Sequence, residues 1–142
     1  MEAGLFPGQA RKGLGLTREV VSVLQFFSRI LDIKSVRLEA LFYHNAITYE
    51  RLGFSYFSRF AQMKRIHELF QPGERLFHKL DHSTPFRKPE FAHTVRGRSW
   101  AIHDGILDEI DDDVLEEGWA SPVMYQMVAK PRGMITFPDP VY

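Results

Sequence analysis

The residues best placed to do chemistry open the chain. Pro7-Gly8-Gln9-Ala10-Arg11-Lys12-Gly13-Leu14-Gly15 runs straight into an amphipathic helical pattern. Gly13 and Gly15 carry no Cβ, so the backbone there can turn tightly and approach a ligand closely. The first turn of the helix that follows offers free N–H groups and the positive end of a dipole. Arg11 and Lys12 add formal charge beside it. The combination is the chemistry of phosphate binding, and it makes Arg11, Lys12, Gly13, Leu14 and Gly15 the candidate anion-binding residues. A flexible N-terminal segment leading to a helix cap at Thr17 would have the same composition without any ligand.

Other chemistry-bearing groups are less well ordered by spacing. His78 and His82, four apart, share a helical face, with Asp81 adjacent. His67, His93 and the pair His103-Asp104 could add imidazole and carboxylate ligands, but no third ligand is fixed by spacing. A solvated helix face with scattered histidines is the simpler expectation, and no metal site is assigned. Asp108 to Glu117 holds seven acids, without the alternating oxygen ligands and turn glycine of a calcium loop. Arg96-Gly97-Arg98-Ser99-Trp100 interleaves cations with an aromatic ring. Yet 18 basic residues balance 18 acidic ones, so no bulk field draws the chain to nucleic acid, and no nucleic-acid partner is expected. The basic stretch 87–98 and the acidic run are expected to pair, either within one chain or between two copies.

These groups need a scaffold, and the chain is long enough to supply one. Its 142 residues make about one domain, and 44% hydrophobic residues with 12 Phe suffice for a packed core. The absence of cysteine removes disulfides and thiolate sites. No apolar run is long enough to span a membrane, and no signal-peptide core opens the chain, so a cytoplasmic protein with no membrane partner is expected.

The elements follow from periodicity. Val20, Val23, Leu24, Phe27, Ile30 and Leu31 predict a helix over 16–31 with one apolar stripe. Val36, Leu38, Ala40 and Phe42 alternate, predicting a strand over 35–42. Asn45 is a candidate cap for a helix over 46–52, with Gly53 as its left-handed terminator. An aromatic strand is expected over 54–60. Met63, Ile66 and Phe70 predict a helix stopped by Pro72-Gly73, and Leu76, Phe77 and Leu80 predict another. Residues 83–99 read mostly as an ordered loop, 123–128 as a final strand, and 133–142 as a Pro-containing tail.

Taken together, the loop, helix, strand, helix and strand resemble the second half of a GNAT-type N-acetyltransferase. In that family an Arg/Gln-x-x-Gly-x-Gly/Ala loop opens a helix and holds the cofactor pyrophosphate, and residues 10–15 stand in that place. The second helix commonly ends in Tyr-x-x-x-Gly-Phe, matched here by Tyr49-Glu50-Arg51-Leu52-Gly53-Phe54. The resemblance implies that Tyr49 is a general acid that protonates the leaving coenzyme A thiolate. A partly buried aromatic anchoring a short helix is the non-catalytic alternative for Tyr49. The family's last strand would fall on Met124 to Lys130. Glu39 lies on the strand where a base could sit, but its facing is ambiguous.

The resemblance covers residues 5–60 and 121–130, which leaves the family's first half without a counterpart. Only Glu2 to Phe6 stand where a fourth strand would lie, and five residues reach about 17 Å. The expected fold is therefore α/β: a GNAT-like partial mixed sheet flanked by helices, with a helical and loop insertion before the last strand. It forms one domain, with a core of 1–62 plus 121–130, an insertion at 63–120 and a tail at 131–142. The function implied is that of a truncated GNAT-like protein that binds acetyl-coenzyme A and transfers acetyl to a small amine. The alternative is a non-catalytic oligomeric module on a degenerate half-fold. A chain whose natural start lies upstream of Met1 is a third expectation. The open sheet edge left by the missing strands favours a homodimer.

Overall fold

The computed structural model describes residues 4–130 and 133–142. The chain is α/β, with helices α1 (Thr17–Ile30), α2 (Tyr43–Arg51), α3 (Phe60–Leu69), α4 (Arg75–His78) and α5 (Val95–His103), and strands β1 (Ser35–Glu39), β2 (Ser55–Tyr56) and β3 (Val123–Met127). The strand order is β1-β3-β2, and β3 is antiparallel to both neighbours. β1 and β2 are thus mutually parallel and joined through α2, with the last strand inserted between them, a split β–α–β unit. Neighbouring strands are all antiparallel, so the sheet is not the mixed one expected.

Alternation sets the register. Leu38 lies opposite Met124 and Val36 opposite Gln126, placing one face of each strand on the core. Tyr56 continues that face opposite Met124. β1 is shorter than its apolar alternation predicts because Phe42 already serves as the N-cap of α2. The helix therefore starts three residues before the position expected for it. Asn45 does cap, but from inside the first turn: its Oδ1 accepts the Phe42 N–H at 3.2 Å. Gly53 follows α2 in the left-handed region as predicted. β2 keeps only two residues of the predicted aromatic strand, because Arg59 turns left-handed and Phe60 starts α3.

The segment 63–120 is no appendage. Met63, Ile66, Leu69, Leu76, Ile106 and Leu107 are all essentially inaccessible and pack in one cluster with Ala46, Ile47, Phe54 and Met124. Each such side chain contributes about 1.5–3 kcal/mol by leaving water, so the core is shared between the split unit and the helices inserted into it. A loop was expected over 83–99, but α5 begins at Val95 and packs on α2. Thr94 starts it: its hydroxyl accepts the Gly97 N–H at 2.9 Å. The loop expectation failed because α5 has scarcely any amphipathic period, with both Arg98 and Ser99 buried.

Both ends of the described chain are tied down. The Trp100 indole N–H donates to the Leu5 carbonyl at 2.9 Å, and Phe6 stacks on His44 at 4.5 Å. Gly4 to Phe6 thus lie against α2 and α5, and none of them forms a strand; Glu2 falls outside the described residues. The tail folds back as well, with Phe137 buried and Val141 bridging Thr94. Among the described residues one ion pair, Arg87 with Glu109, joins the basic and acidic stretches within the chain, while Asp112 of the acidic run pairs with Arg65 and Arg75 from outside the basic stretch. Arg87 binds Glu109 through both terminal nitrogens at 2.6 and 2.7 Å, and Asp104 through Nε at 2.8 Å. Asp112 receives Arg65 at 2.9 Å and also Arg75. Burial pushes the Asp112 carboxyl up, but Arg65, the Val114 amide and Arg75 together hold it below its ordinary value.

One contact in this core is especially unforgiving. A Cβ on Gly97 would stand 2.3 Å from the Phe91 carbonyl oxygen and 2.5 Å from the Phe91 Cβ. Gly97→Ala is therefore expected to destabilise by about 1–3 kcal/mol through overpacking, despite the better helix propensity of alanine. A thermal melt checks this, and a Tm equal to or above that of the parent chain would refute it.

Candidate functional site

The glycine-loop residues do not act together in the structure. Arg11, Lys12, Gly13 and Leu14 are exposed, and Leu14 is 88% accessible. The loop is held upstream, where Gln9 Oε1 accepts the Phe6 N–H at 3.0 Å. Gly15 adopts φ +72° with open space where a Cβ would be, a conformation that leaves the helix start unobstructed. α1 begins with no side-chain cap; Thr17, the cap expected, does not bond the helix start. The first helical bond runs from Val20 N to Leu16 O at 2.9 Å, so the amides before it have no intrahelical acceptor.

The residues of that first turn border a cleft of about 330 Å³ between the start of α1 and the end of α2. Its walls are Gly15, Thr17, Arg18, Thr48, Arg51, Leu52 and Tyr142. Arg18 and Arg51 thus line one concavity beside an uncapped helix N-terminus. Arg51 Cζ lies 5.9 Å from the Tyr142 ring centroid, and burial raises the pKa of the Tyr142 phenol beside Thr48. Tyr142 is therefore a wall of the cleft. Of the loop residues predicted to bind an anion, only Gly15 reaches it. Arg18, Thr48 and Arg51 were not singled out by spacing; Arg51 lies within the Tyr-x-x-x-Gly-Phe segment, which was its one visible signal.

Tyr49 sits one residue from Thr48, on a different side of α2. Its ring is partly buried, 5.7 Å from that of Phe54, and it does not line this cleft. The structure therefore does not bring Tyr49 together with residues 11–15. A larger cleft of about 510 Å³ lies at the opposite end of α1, among Arg29, Asp32, Lys34 and Met127. There the charges are mixed and the helix presents carbonyls, so it has less to offer an anion.

α2 is positioned by a buried carboxylate in its last turn. Glu50, 2% exposed, accepts the Tyr56 hydroxyl at 2.6 Å and the Thr136 N–H at 3.1 Å, and also bonds the Thr136 hydroxyl. Burial raises its pKa against the opposing pull of these bonds. Beside it, the buried Tyr43 hydroxyl lies near Arg98 without a hydrogen bond of normal geometry, and burial pushes its pKa up to about 12. Arg98 donates instead to the Ala92 carbonyl at 2.6 Å and lies 3.9 Å from the Phe137 ring centroid.

Ser99 and His44 are paired at 2.9 Å and have the residue types of a nucleophile and its base. Both are buried and line none of these clefts. His44 is stacked between Phe6 and Phe42, and burial lowers its pKa to about 4. The pair works as packing. His78 and His82 do not share a helical face, because α4 stops at His78 and His82 is left-handed. Among the described residues no three His, Cys, Asp or Glu side chains are close enough together to hold a metal ion, and no helix is long and apolar enough to cross a membrane.

No protein-family model, curated protein or solved structure matches the chain.

The state of Glu50 makes stability depend on pH. A carboxyl whose pKa rises on folding stabilises most below its unfolded value of 4.5, and that contribution is lost as pH rises through the folded value. Glu50→Gln, which keeps an acceptor but cannot ionise, is expected to abolish this loss. From pH 4.5 towards neutrality, the parent chain should lose stability relative to the variant by at most ~1.4 kcal/mol per pH unit. Urea unfolding across the pH series checks this, and parallel curves would refute it.

Proposed function

We propose that this chain is a GNAT-like acyl-coenzyme A-binding unit that seats the cofactor diphosphate in the cleft at the start of α1. The observation that carries this is the convergence of Arg18, Arg51 and an uncapped helix N-terminus behind a left-handed Gly15 on one cavity. Helix dipole and guanidinium charge favour the same anion there, and the guanidiniums can bond phosphate in a bidentate manner. The element order loop–helix–strand–helix–strand over 8–56 supports the resemblance. So does the antiparallel pairing of β2 with β3, the pairing expected of a terminal hairpin, although the whole inserted segment 63–120 lies between them.

Acetyl transfer to a small amine is the reaction this reading implies. The amine nitrogen would form a bond to the thioester carbonyl carbon, the C–S bond would break, the thiolate would take a proton from Tyr49, and the proton released by the amine nitrogen would return through solvent to the Tyr49 oxygen. Binding has the stronger support of the two, because Tyr49 packs against Phe54 outside the cleft. A cytoplasmic setting belongs to the same proposal. The second reading, a non-catalytic interaction module, is favoured by the outward-facing apolar side of α1.

Calorimetric titration with acetyl-coenzyme A tests the proposal. The parent chain should bind, and Arg18→Ala/Arg51→Ala should weaken binding at least tenfold, or ~1.4 kcal/mol. Arg11→Ala/Lys12→Ala should have a smaller effect, since those residues lie outside the cleft. No heat of binding with the parent chain would sink the proposal, and a larger loss in the second variant would move the site to the loop.

A further inference from the structure

α1 buries the wrong side for a helix with its sequence. Its packed ridge is Val21, Gln25 and Ser28, whereas the apolar stripe of Val20, Val23, Leu24, Phe27, Ile30 and Leu31 is between 48% and 65% exposed. At 100° per residue, that stripe is centred about 180° around the helix from Arg18. Arg18 faces the end of α2, so the stripe overhangs the opposite flank, where β1 is the outermost strand.

The edge of β1 below it is also unsatisfied. The bonds Val128 N to Lys34 O at 3.0 Å and Ala40 N to Pro122 O at 2.9 Å show that even-numbered residues pair with β3. Ser35, Arg37 and Glu39 therefore aim their N–H and C=O groups outward, and no strand lies on that edge among the described residues. An apolar flank and a bare strand edge meet on one side of the molecule.

We propose that a second copy of this chain covers both. A two-fold axis normal to the sheet and passing through Leu38 sets β1 antiparallel to the partner's β1 and keeps both α1 helices on one face, stripe to stripe. Odd residues then pair with odd residues, as their outward groups require, with Arg37 opposite the partner's Glu39 and Glu39 opposite the partner's Arg37. Centring on Arg37 or Glu39 would instead set like charges face to face, which is unfavourable, and centring on Val36 would leave Glu39 without its cation. The contact is isologous and closes at two copies. Six half-exposed side chains present roughly 600 Å² of apolar surface, the upper end of what a monomer normally shows. With the strand edge added, the surface approaches the ~800 Å² per partner of a stable interface.

The interface does not depend on coenzyme A binding, so its test stands apart from that proposal. Sedimentation equilibrium should give twice the chain mass of 16.5 kDa. The chain has no cysteine, so a single introduced thiol reports the register. Leu38→Cys lies on the axis at a non-hydrogen-bonded pair, where Cα atoms approach to about 4.5 Å, and should give a disulfide-linked dimer under mild oxidation, whereas Val36→Cys should not. Arg37→Glu should weaken the dimer at least tenfold, and Arg37→Glu/Glu39→Arg should restore it to within about threefold, since the swap rebuilds both cross-strand pairs. A chain that stays monomeric at every concentration overturns the proposal, as does cross-linking through Val36→Cys in place of Leu38→Cys.

Discussion

A buried carboxylate fixes most of what matters here. Glu50 cannot sit inside the protein unpaired without a cost of several kcal/mol, so its partners must come to it. Tyr56 comes from β2 and Thr136 from the returning tail, each within hydrogen-bond distance. The end of α2, the second strand and the C-terminal segment are thereby pinned at one point. Every other wall of the cleft at the start of α1 on that side follows: Thr48, Arg51 and Leu52 are the neighbours of Glu50 along α2, and Tyr142 belongs to the segment that Thr136 anchors. Arg98 makes a similar junction from α5, satisfying the Ala92 carbonyl and lying over the Phe137 ring.

The rest of the molecule is held unequally. α2 is clamped between the sheet and α5, with Tyr43, Ala46 and Ile47 wholly inaccessible. α1 has only a narrow ridge in contact and carries a broad apolar face outward. The asymmetry bears on both proposals. The cleft needs α1 only at its first turn, where the ridge residue Val21 holds it to the core. The exposed stripe lies on the far flank and leaves that turn accessible. Ligand binding and association between copies can therefore occupy different sides of the same helix.

Much of the fold was legible because local periodicity carries it. The helix at 17–30, the strand from 35, the Gly53 terminator and the strand from 123 stand where alternation and three-four spacing place them. The charge blocks made the Arg87–Glu109 pair legible, but not the cations from Arg65 and Arg75 that meet Asp112. Less was legible of the site. Arg11 and Lys12 looked like anion ligands because charge next to glycine resembles a binding loop, yet both are exposed and neither lines the cleft. Arg18 and Arg51 looked ordinary because they are far apart in sequence, and only the packing of two helix ends makes them neighbours.

The sequence by itself determined the strongly periodic elements, the helix at 17–30 and the strands from 35 and 123, since propensity and hydrophobic period act over a few residues. It also determined that α1 has an apolar stripe. Only the tertiary structure decided which side of α1 is buried, because an amphipathic pattern records a preference for leaving water and not the surface that satisfies it. Tertiary structure likewise decided that residues 63–120 build half of the core, and that β3 lies between two strands parallel to each other. Those outcomes rest on long-range burial and on pairing the buried Glu50 and Arg98, energies that exist only once distant segments have met.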